Sequence, residues 1–286
     1  MANALALTSA LCLAGATILI RQGLRGSNPY AGFWINLAVG AAGLWLAVAI
    51  TGGFRRVSLA GLVLFMLAGL VGTVGGRLLR FISIEQVGAA ISAALTNTNP
   101  LIASGLAILL LGERVTLPIL VGTVVIVGGT MLLSAGGRRL GLRPGQLALP
   151  MLSAACFGVV AILRKLGVGH TGPVLGTAVN ATTAFVAFTL FILASGQRAS
   201  LACPRRNVMY FVAAGVAENT GVFLYIVALS LGTVSVVAPL AAVAPIFVLV
   251  LSFVFLRGVE TLSARIVLGT FLIVFGVYLI TALAGP

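Results

Sequence analysis

The chain has 286 residues, of which 60% are hydrophobic and 7% charged, and its formal net charge is +13. A soluble domain carries about 25% charged residues, so this composition is too apolar to cover a water-facing surface. It excludes a secreted disulfide scaffold, a disordered chain and a soluble metabolic enzyme, and it predicts a membrane protein. The three cysteines have no paired spacing, which favours small core residues over a disulfide or zinc framework.

Ten apolar segments follow one another along the chain, each long enough to cross a hydrocarbon layer of about 30 Å. Glycine, proline or arginine lies in nearly every gap between them. Ten spans of about 20 residues leave no room for a soluble domain. The predicted spans cover residues 3–20, 30–50, 58–82, 87–111, 117–134, 146–163, 174–194, 208–230, 233–256 and 263–283.

The positive charge does not indicate a nucleic-acid partner. Most of the 17 basic residues flank the apolar segments, where arginine and lysine meet lipid headgroups. The expected partners are therefore the lipid bilayer and a small-molecule substrate, and not nucleic acid.

The two halves of the chain align with each other at an offset of about 145 residues. Each half then holds five spans, an odd number, so the second half must enter the membrane from the opposite side. The sequence predicts two inverted five-helix repeats, residues 1–143 and 144–286, an arrangement typical of secondary transporters. The aligned pairs are Arg21 and Arg164, Asn36 and Asn180, Gly69 and Gly215, Gly75 and Gly221, and Thr123 and Thr270.

Over almost its whole length the chain resembles the EamA type of the drug/metabolite transporter superfamily. The resemblance implies ten spans around a central cavity formed by both halves, and export of amino acids, other metabolites or drugs. The second half departs from the family pattern, with Arg257-Gly258-Val259-Glu260 in place of Leu-Gly-Glu. The matching residues are Asn99-Pro100, the run Leu109 to Val115 that contains Gly112-Glu113-Arg114, and Gly122 and Gly128; in the second half they are Ala244-Pro245, Glu260, Gly269 and Gly276.

Glu218 is the acidic residue that lies within a predicted span and not at its end. A charge at that depth is costly, so it predicts a functional group or an ion pair. Arg77, on the third span, is close enough along the membrane normal to reach it. Together they could bind a zwitterion, with Glu218 also coupling protons, or they could form a purely structural pair. Arg80, further along, is expected to snorkel toward the headgroups.

The fourth span contains a polar run with two amides, Asn97 and Asn99, directly before Pro100. Polar groups and a broken helix at this depth indicate a wall that faces a cavity, although hydrogen bonding between helices is the alternative. The matching region of the ninth span, from Pro239 to Pro245, is apolar. We therefore expect a cavity that is polar on its first-half wall and apolar on the other, with the three prolines as hinges.

Two further pairs of residues are candidates for substrate contact. Asn36 and Asn180 occupy matching places in the second and seventh spans, where they either line the site or join helices. Trp34 and Tyr225 are candidates for an aromatic wall, but such residues also anchor helices at the membrane interface.

The sequence thus predicts an all-α polytopic membrane protein, multi-pass in the cell inner membrane, as a monomer or weak homodimer. Its expected function is export of small amphipathic metabolites such as amino acids by alternating access, driven by protons or by the solute's own gradient. An exchanger of organic anions or phosphorylated metabolites is the alternative. A nucleotide-binding loop, a cluster of membrane histidines and a metal-ligand pattern are all missing from the sequence. We therefore expect no enzyme activity, no cofactor and no metal.

Overall fold

The structure, a computed structural model, describes residues 2–52, 57–99, 101–102, 105–106, 109, 116–139, 142–168, 170–231, 241, 243–256 and 263–279. Within these ranges the regular structure is helical and no strand occurs. The helices are α1 Ala2–Gly23, α2 Pro29–Thr51, α3 Leu59–Val87, α4 Ala89–Thr96, α5 Leu117–Arg139, α6 Pro144–Val168, α7 Pro173–Ala194, α8 Arg205–Leu231, α9 Ala244–Phe255 and α10 Ala264–Tyr278.

Six of these helices are long and apolar enough to cross a membrane: α1, α2, α3, α6, α7 and α8. The all-helical membrane architecture is thereby confirmed. Shorter apolar helices occur within α5, α9 and α10. The predicted count of ten spans extends into residues outside the described ranges and stays a prediction.

Helix α2 begins and ends at local signals that are visible in its sequence. Asn28 accepts a hydrogen bond from the Ala31 backbone N–H at 3.0 Å, and Pro29 takes the first helical position, where its missing donor costs nothing. The helix ends at Gly52, whose φ of 62° suits a residue without a Cβ.

Helix α3 changes its winding in the middle, where Gly69–Arg77 forms a π-helical segment. Its glycines allow close packing: a Cβ on Gly69 would lie 2.6 Å from the Asn180 carbonyl oxygen, and one on Gly76 would lie 3.0 Å from the Cys156 Cβ. These glycines therefore let α3 lie close to α6 and α7.

The end of α3 differs from the prediction. The third span was expected to end at residue 82, but the helix continues to Val87 and stops at Gly88, whose φ is 87°. A glycine tolerates this backbone and lets α4 start at the next residue in a new direction.

The main contacts between helices of the two halves of the chain have counterparts when the halves are exchanged. Helix α1 packs on α8, and α6 packs along α3 in the matching way. Contacts of α2 with α8 correspond to contacts of α7 with α3, and contacts of α1 with α9 to those of α6 with α4. In three further contacts a helix packs on its own counterpart in the other half: α2 on α7, α4 on α9, and α5 on α10.

The crossing of α5 and α10 depends on glycine. A Cβ on Gly129 would lie 2.9 Å from the Gly269 carbonyl oxygen, and one on Gly276 would lie 2.8 Å from the Gly122 carbonyl oxygen. Both obstacles are backbone atoms of the partner helix, so they can move only if the helices separate. Small residues at such crossings let two membrane helices approach closely.

Replacing Gly129 with alanine is expected to lower the unfolding free energy by about 1–3 kcal/mol, because the added methyl group forces α5 and α10 apart. The neighbouring Gly128→Ala is the matched control, since no atom lies within 4 Å of its would-be Cβ. Alanine there should be neutral or slightly stabilising. Thermal unfolding of both variants in detergent tests this. Equal Tm values would contradict the close contact of α5 and α10 at Gly129.

Candidate functional site

A cavity of about 180 Å³ lies among α1, α3, α4, α6 and α9, so both halves contribute to its wall. The first half supplies Leu13, Ala14, Thr17, Arg80, Ala93, Thr96, Asn97 and Asn99. The second half supplies Phe157, Ala244, Pro245 and Val248. Among the described lining residues, every polar or charged one therefore comes from the first half, as the predicted difference between the two walls requires; residues 232–240 and 242 of the other wall lie outside the described ranges.

The polar wall exists because α4 stops in the middle of its predicted span. Thr96 is the last helical residue; the Asn97 N–H donates to the Ala93 carbonyl at 3.0 Å, and the chain turns. Asn99 then donates its Nδ2 to the Thr96 carbonyl at 3.1 Å. The predicted break and the position of both asparagines at the cavity are confirmed, while Pro100 lies outside the described residues.

Glu218 lies midway along α8 and is 2% exposed. Its nearest cation is Arg80, whose Nη1 is 2.8 Å from Oε1; the Arg77 Nε is 3.7 Å from the same oxygen. The other oxygen, Oε2, accepts from Asn36 Nδ2 at 3.0 Å. The expectation that Arg80 snorkels to the headgroups is therefore wrong, because a buried carboxylate holds it inside the protein.

Two arginines and one carboxylate leave this group, which we call the Glu218 cluster, with one surplus positive charge. Asn36 joins its members by accepting from Arg77 Nη1 at 3.2 Å. Arg80 also donates from Nη2 to Thr17 Oγ1 at 2.8 Å, which extends the cluster to α1. Among the lining residues that the structure describes, Arg80 is the charged one. Arg77 and Glu218 lie behind it and do not line the cavity.

Asn180, the repeat partner of Asn36, lies in a second polar cluster between α3, α6 and α7. It donates from Nδ2 to Thr73 Oγ1 at 3.0 Å and accepts from Arg164 Nη2 at 2.9 Å. Each asparagine thus accepts a hydrogen bond from an arginine and connects helices of both halves. Both are buried, and neither lines the cavity.

The aromatic candidates lie away from the cavity. Trp34 donates from Nε1 to Thr189 Oγ1 at 3.0 Å and packs beside Phe185, so it joins α2 to α7. Tyr225 packs near the start of α1, in a small cluster around Ala6 and Ala228. The aromatic ring that does line the cavity belongs to Phe157. Phe157 was not predicted from the sequence, although the offset that pairs Arg21 with Arg164 pairs Phe157 with Ala14, which lines the same cavity.

Toward the C-terminal end of α1, a packed layer adjoins the cavity. Ile18, Ala89 and Leu256 belong to one buried apolar cluster there. One turn further, Arg21 donates from Nη1 to the Ile84 and Glu85 carbonyls at 2.9 and 2.7 Å. Gln22 donates to the Phe255 carbonyl at 3.1 Å, which links α1 to the other half. These contacts hold α1 against α3 and α9 on this side.

Of the three predicted hinge prolines, Pro245 lies within the described ranges. It occupies the first turn of α9, is buried and lines the cavity. Pro100 and Pro239 lie outside the described residues.

Comparisons with known proteins identify a family and a fold. The EamA-like transporter family matches residues 1–135 and again residues 144–282. A solved crystal structure aligns over 99% of this chain and 97% of that chain, with 18% sequence identity and a TM-score of 0.66, which shows a shared fold. No curated protein matches the chain.

Proposed function

The chain belongs to the EamA-like transporter family, so it is a membrane transporter of small solutes and not an enzyme, and we propose that it exports small amphipathic metabolites such as amino acids. The observation that carries this proposal is the central cavity, in which Arg80 and the broken end of α4 face apolar residues of the other half. A carboxylate would pair with the Arg80 guanidinium, and an apolar side chain would contact Leu13, Phe157 and Val248.

The size of the cavity supports a small solute. At about 180 Å³ it is smaller than the pockets of about 300–1,000 Å³ that hold drug-sized ligands. Asn97 and Asn99 would orient the solute, while Arg77 and Asn36 would hold the Glu218 cluster in position behind Arg80.

The transport cycle that we propose is alternating access by two inverted five-helix repeats, residues 1–143 and 144–286. The exchange symmetry of the helix contacts supports this, as does the double family match. Inverted repeats exchange their conformations to open one side and close the other. In the described state Arg21 binds the end of α3, whereas its repeat partner Arg164 binds Asn180. In the opposite state Arg164 would bind the matching end of α8, with Pro100, Pro239 and Pro245 as hinges.

Coupling to protons would act through Glu218. A solute carboxylate that binds Arg80 competes with Glu218 Oε1 for the same guanidinium. A proton on Glu218 would compensate for the lost partner, so solute binding and protonation would be linked. The protein would act in the cell inner membrane as a monomer or weak homodimer.

A second candidate is an exchanger of organic anions or phosphorylated metabolites. The surplus positive charge of the Glu218 cluster favours it, as does Arg164, which lies within electrostatic range of Arg77. Such an anion would place two charges against the arginines, whereas an amino acid places one.

The experiment is a thermal-shift screen of the purified protein against amino acids, amines, organic acids and sugar phosphates, followed by counterflow in proteoliposomes. A ligand of the folded state raises its stability by RT ln(1 + [L]/Kd). We expect amino acids to raise the Tm and to drive counterflow; a response to sugar phosphates alone would favour the second candidate.

The screen needs a variant in which the cavity is filled. Ala93→Phe places a ring inside the cavity, and the matched control Leu46→Phe changes a side chain that is 62% exposed on α2. The ligand response should vanish in the first variant and persist in the second. Counterflow that survives Ala93→Phe would show that the solute passes elsewhere.

A further inference from the structure

Thr96 carries a hydroxyl that has no hydrogen-bond partner in the protein. The residue is 7% exposed, its Oγ1 is buried, and it lines the cavity. Buried hydroxyls are almost always paired, and one without a partner loses the hydrogen bonds that it made in water. This atom therefore needs an explanation.

The other helical threonines show what Thr96 does not do. A threonine in a helix can donate to the carbonyl four residues earlier, as Thr17 does to Leu13 at 2.9 Å and Thr270 to Ile266 at 2.8 Å. The same bond runs from Thr182 to Ala178. Thr96 makes no such bond to Ser92, so its oxygen is left without a partner on a residue that lines the cavity.

A second acceptor lies three residues further along. Asn99 donates from Nδ2 to the Thr96 carbonyl, so its Oδ1 is the amide atom able to accept a hydrogen bond from a ligand. Thr96 is the last residue of α4, so its hydroxyl lies at the C-terminal end of that helix, where the helix dipole adds partial negative charge. Broken membrane helices use such ends to bind cationic groups.

The opposite charge is in the same cavity. Arg80 presents a guanidinium, and none of the described lining residues is acidic. The wall therefore combines one cationic group with a group of neutral acceptors, and the remaining surface is apolar. A solute with a carboxylate, an ammonium and a compact apolar side chain would match all three parts.

We propose that Thr96 and Asn99 form an amine subsite, so that the protein selects α-amino acids with compact apolar side chains over carboxylic acids that lack the amine. The inference rests on the proposed function and names its substrate class. It also gives the ammonium a different partner from Glu218, whose two oxygens are already bound by Arg80 and Asn36.

The test compares L-valine with 3-methylbutanoate, the same molecule without its amine, as competitors in counterflow. The wild-type protein should bind valine about 10- to 100-fold more tightly, the range expected for a hydrogen bond to a charged group. Thr96→Val keeps the shape but removes the oxygen, so the two ligands should bind about equally. Binding of 3-methylbutanoate should not change.

Two further variants separate recognition from folding. Ser92→Ala removes another buried, unpaired hydroxyl one turn earlier on α4, outside the cavity lining, and should keep the preference for valine. Thr96→Ser keeps the hydroxyl that Thr96→Val removes, so it should keep most of the preference for valine. Tm values of all three variants identify any loss that is due to misfolding.

The possible outcomes distinguish this inference from the function on which it rests. A Thr96→Val protein that still prefers valine would overturn the amine subsite, and so would a wild-type protein that binds both ligands equally. In both cases transport of carboxylates through the cavity would stand. If neither ligand binds the wild-type protein, the proposed function fails together with the subsite.

Discussion

Arg80→Gln is expected to abolish binding of carboxylate-bearing solutes, because it removes the charged side chain that lines the cavity. Glutamine cannot offer the planar pair of donors with which a guanidinium holds a carboxylate. Arg80→Lys should restore the charge but only part of the affinity, since an ammonium lacks that fork. Kd values from ligand-induced Tm shifts give the size of each loss.

The same substitution also removes a partner of Glu218. Breaking a buried ion pair costs about 3–5 kcal/mol when the other charge is left alone. Here Arg77 and Asn36 remain in contact with the carboxylate, so we expect a smaller loss of unfolding free energy. Arg77→Gln is the comparison, because Arg77 belongs to the Glu218 cluster but does not line the cavity. Arg77→Gln should weaken solute binding far less than Arg80→Gln. A larger loss in Arg77→Gln would contradict the assignment of Arg80 as the residue that binds the carboxylate.

Glu218→Gln is expected to remove the response of transport to a pH gradient and to destabilise the fold. The amide keeps the shape of the carboxyl group but leaves Arg77 and Arg80 without a counter-charge, at a cost of about 3–5 kcal/mol. Uptake driven by a pH gradient should stop, while solute counterflow, which needs no proton movement, should continue. Proteoliposomes with and without an imposed gradient measure both.

Two controls support the interpretation of Glu218→Gln. Glu85→Gln changes a carboxyl at the end of α3, outside the Glu218 cluster, and should leave the pH response intact. The double variant Glu218→Gln with Arg80→Gln should be destabilised less than the sum of the single variants, because neighbouring charges are then removed together. A pH gradient that still drives uptake in Glu218→Gln would assign coupling to another group.

The membrane architecture could be predicted from the sequence because hydropathy acts over whole segments. A run of about 20 apolar residues predicts a span wherever its side chains point. The repeat alignment rests equally on position along the chain. It matched Gly122 with Gly269, which both lie at the α5 and α10 crossing, but it matched Gly276 with Gly128, whereas the glycine at the crossing is Gly129. The asymmetric cavity was predictable too, since Asn97 and Asn99 in the middle of a span must face protein or water.

The exact partners were not predictable, because they depend on the angular position of each side chain around its helix. Arg77 and Arg80 are three residues apart, and the choice between them is affected by the π-helical winding of Gly69–Arg77. A π segment rotates every later residue relative to an ideal α-helix. It brings Arg80 to within 2.8 Å of Glu218 and onto the cavity wall.

The membrane class, the polar break in α4 and the need of Glu218 for a cation follow from the sequence, because each depends on the cost of polar groups in hydrocarbon. The packing of the helices is what makes Trp34 and Asn180 join helices and places Phe157 on the cavity wall. It alone left the Thr96 hydroxyl without a partner. These outcomes depend on which helix faces which, and that is set by close contacts between residues far apart in the chain.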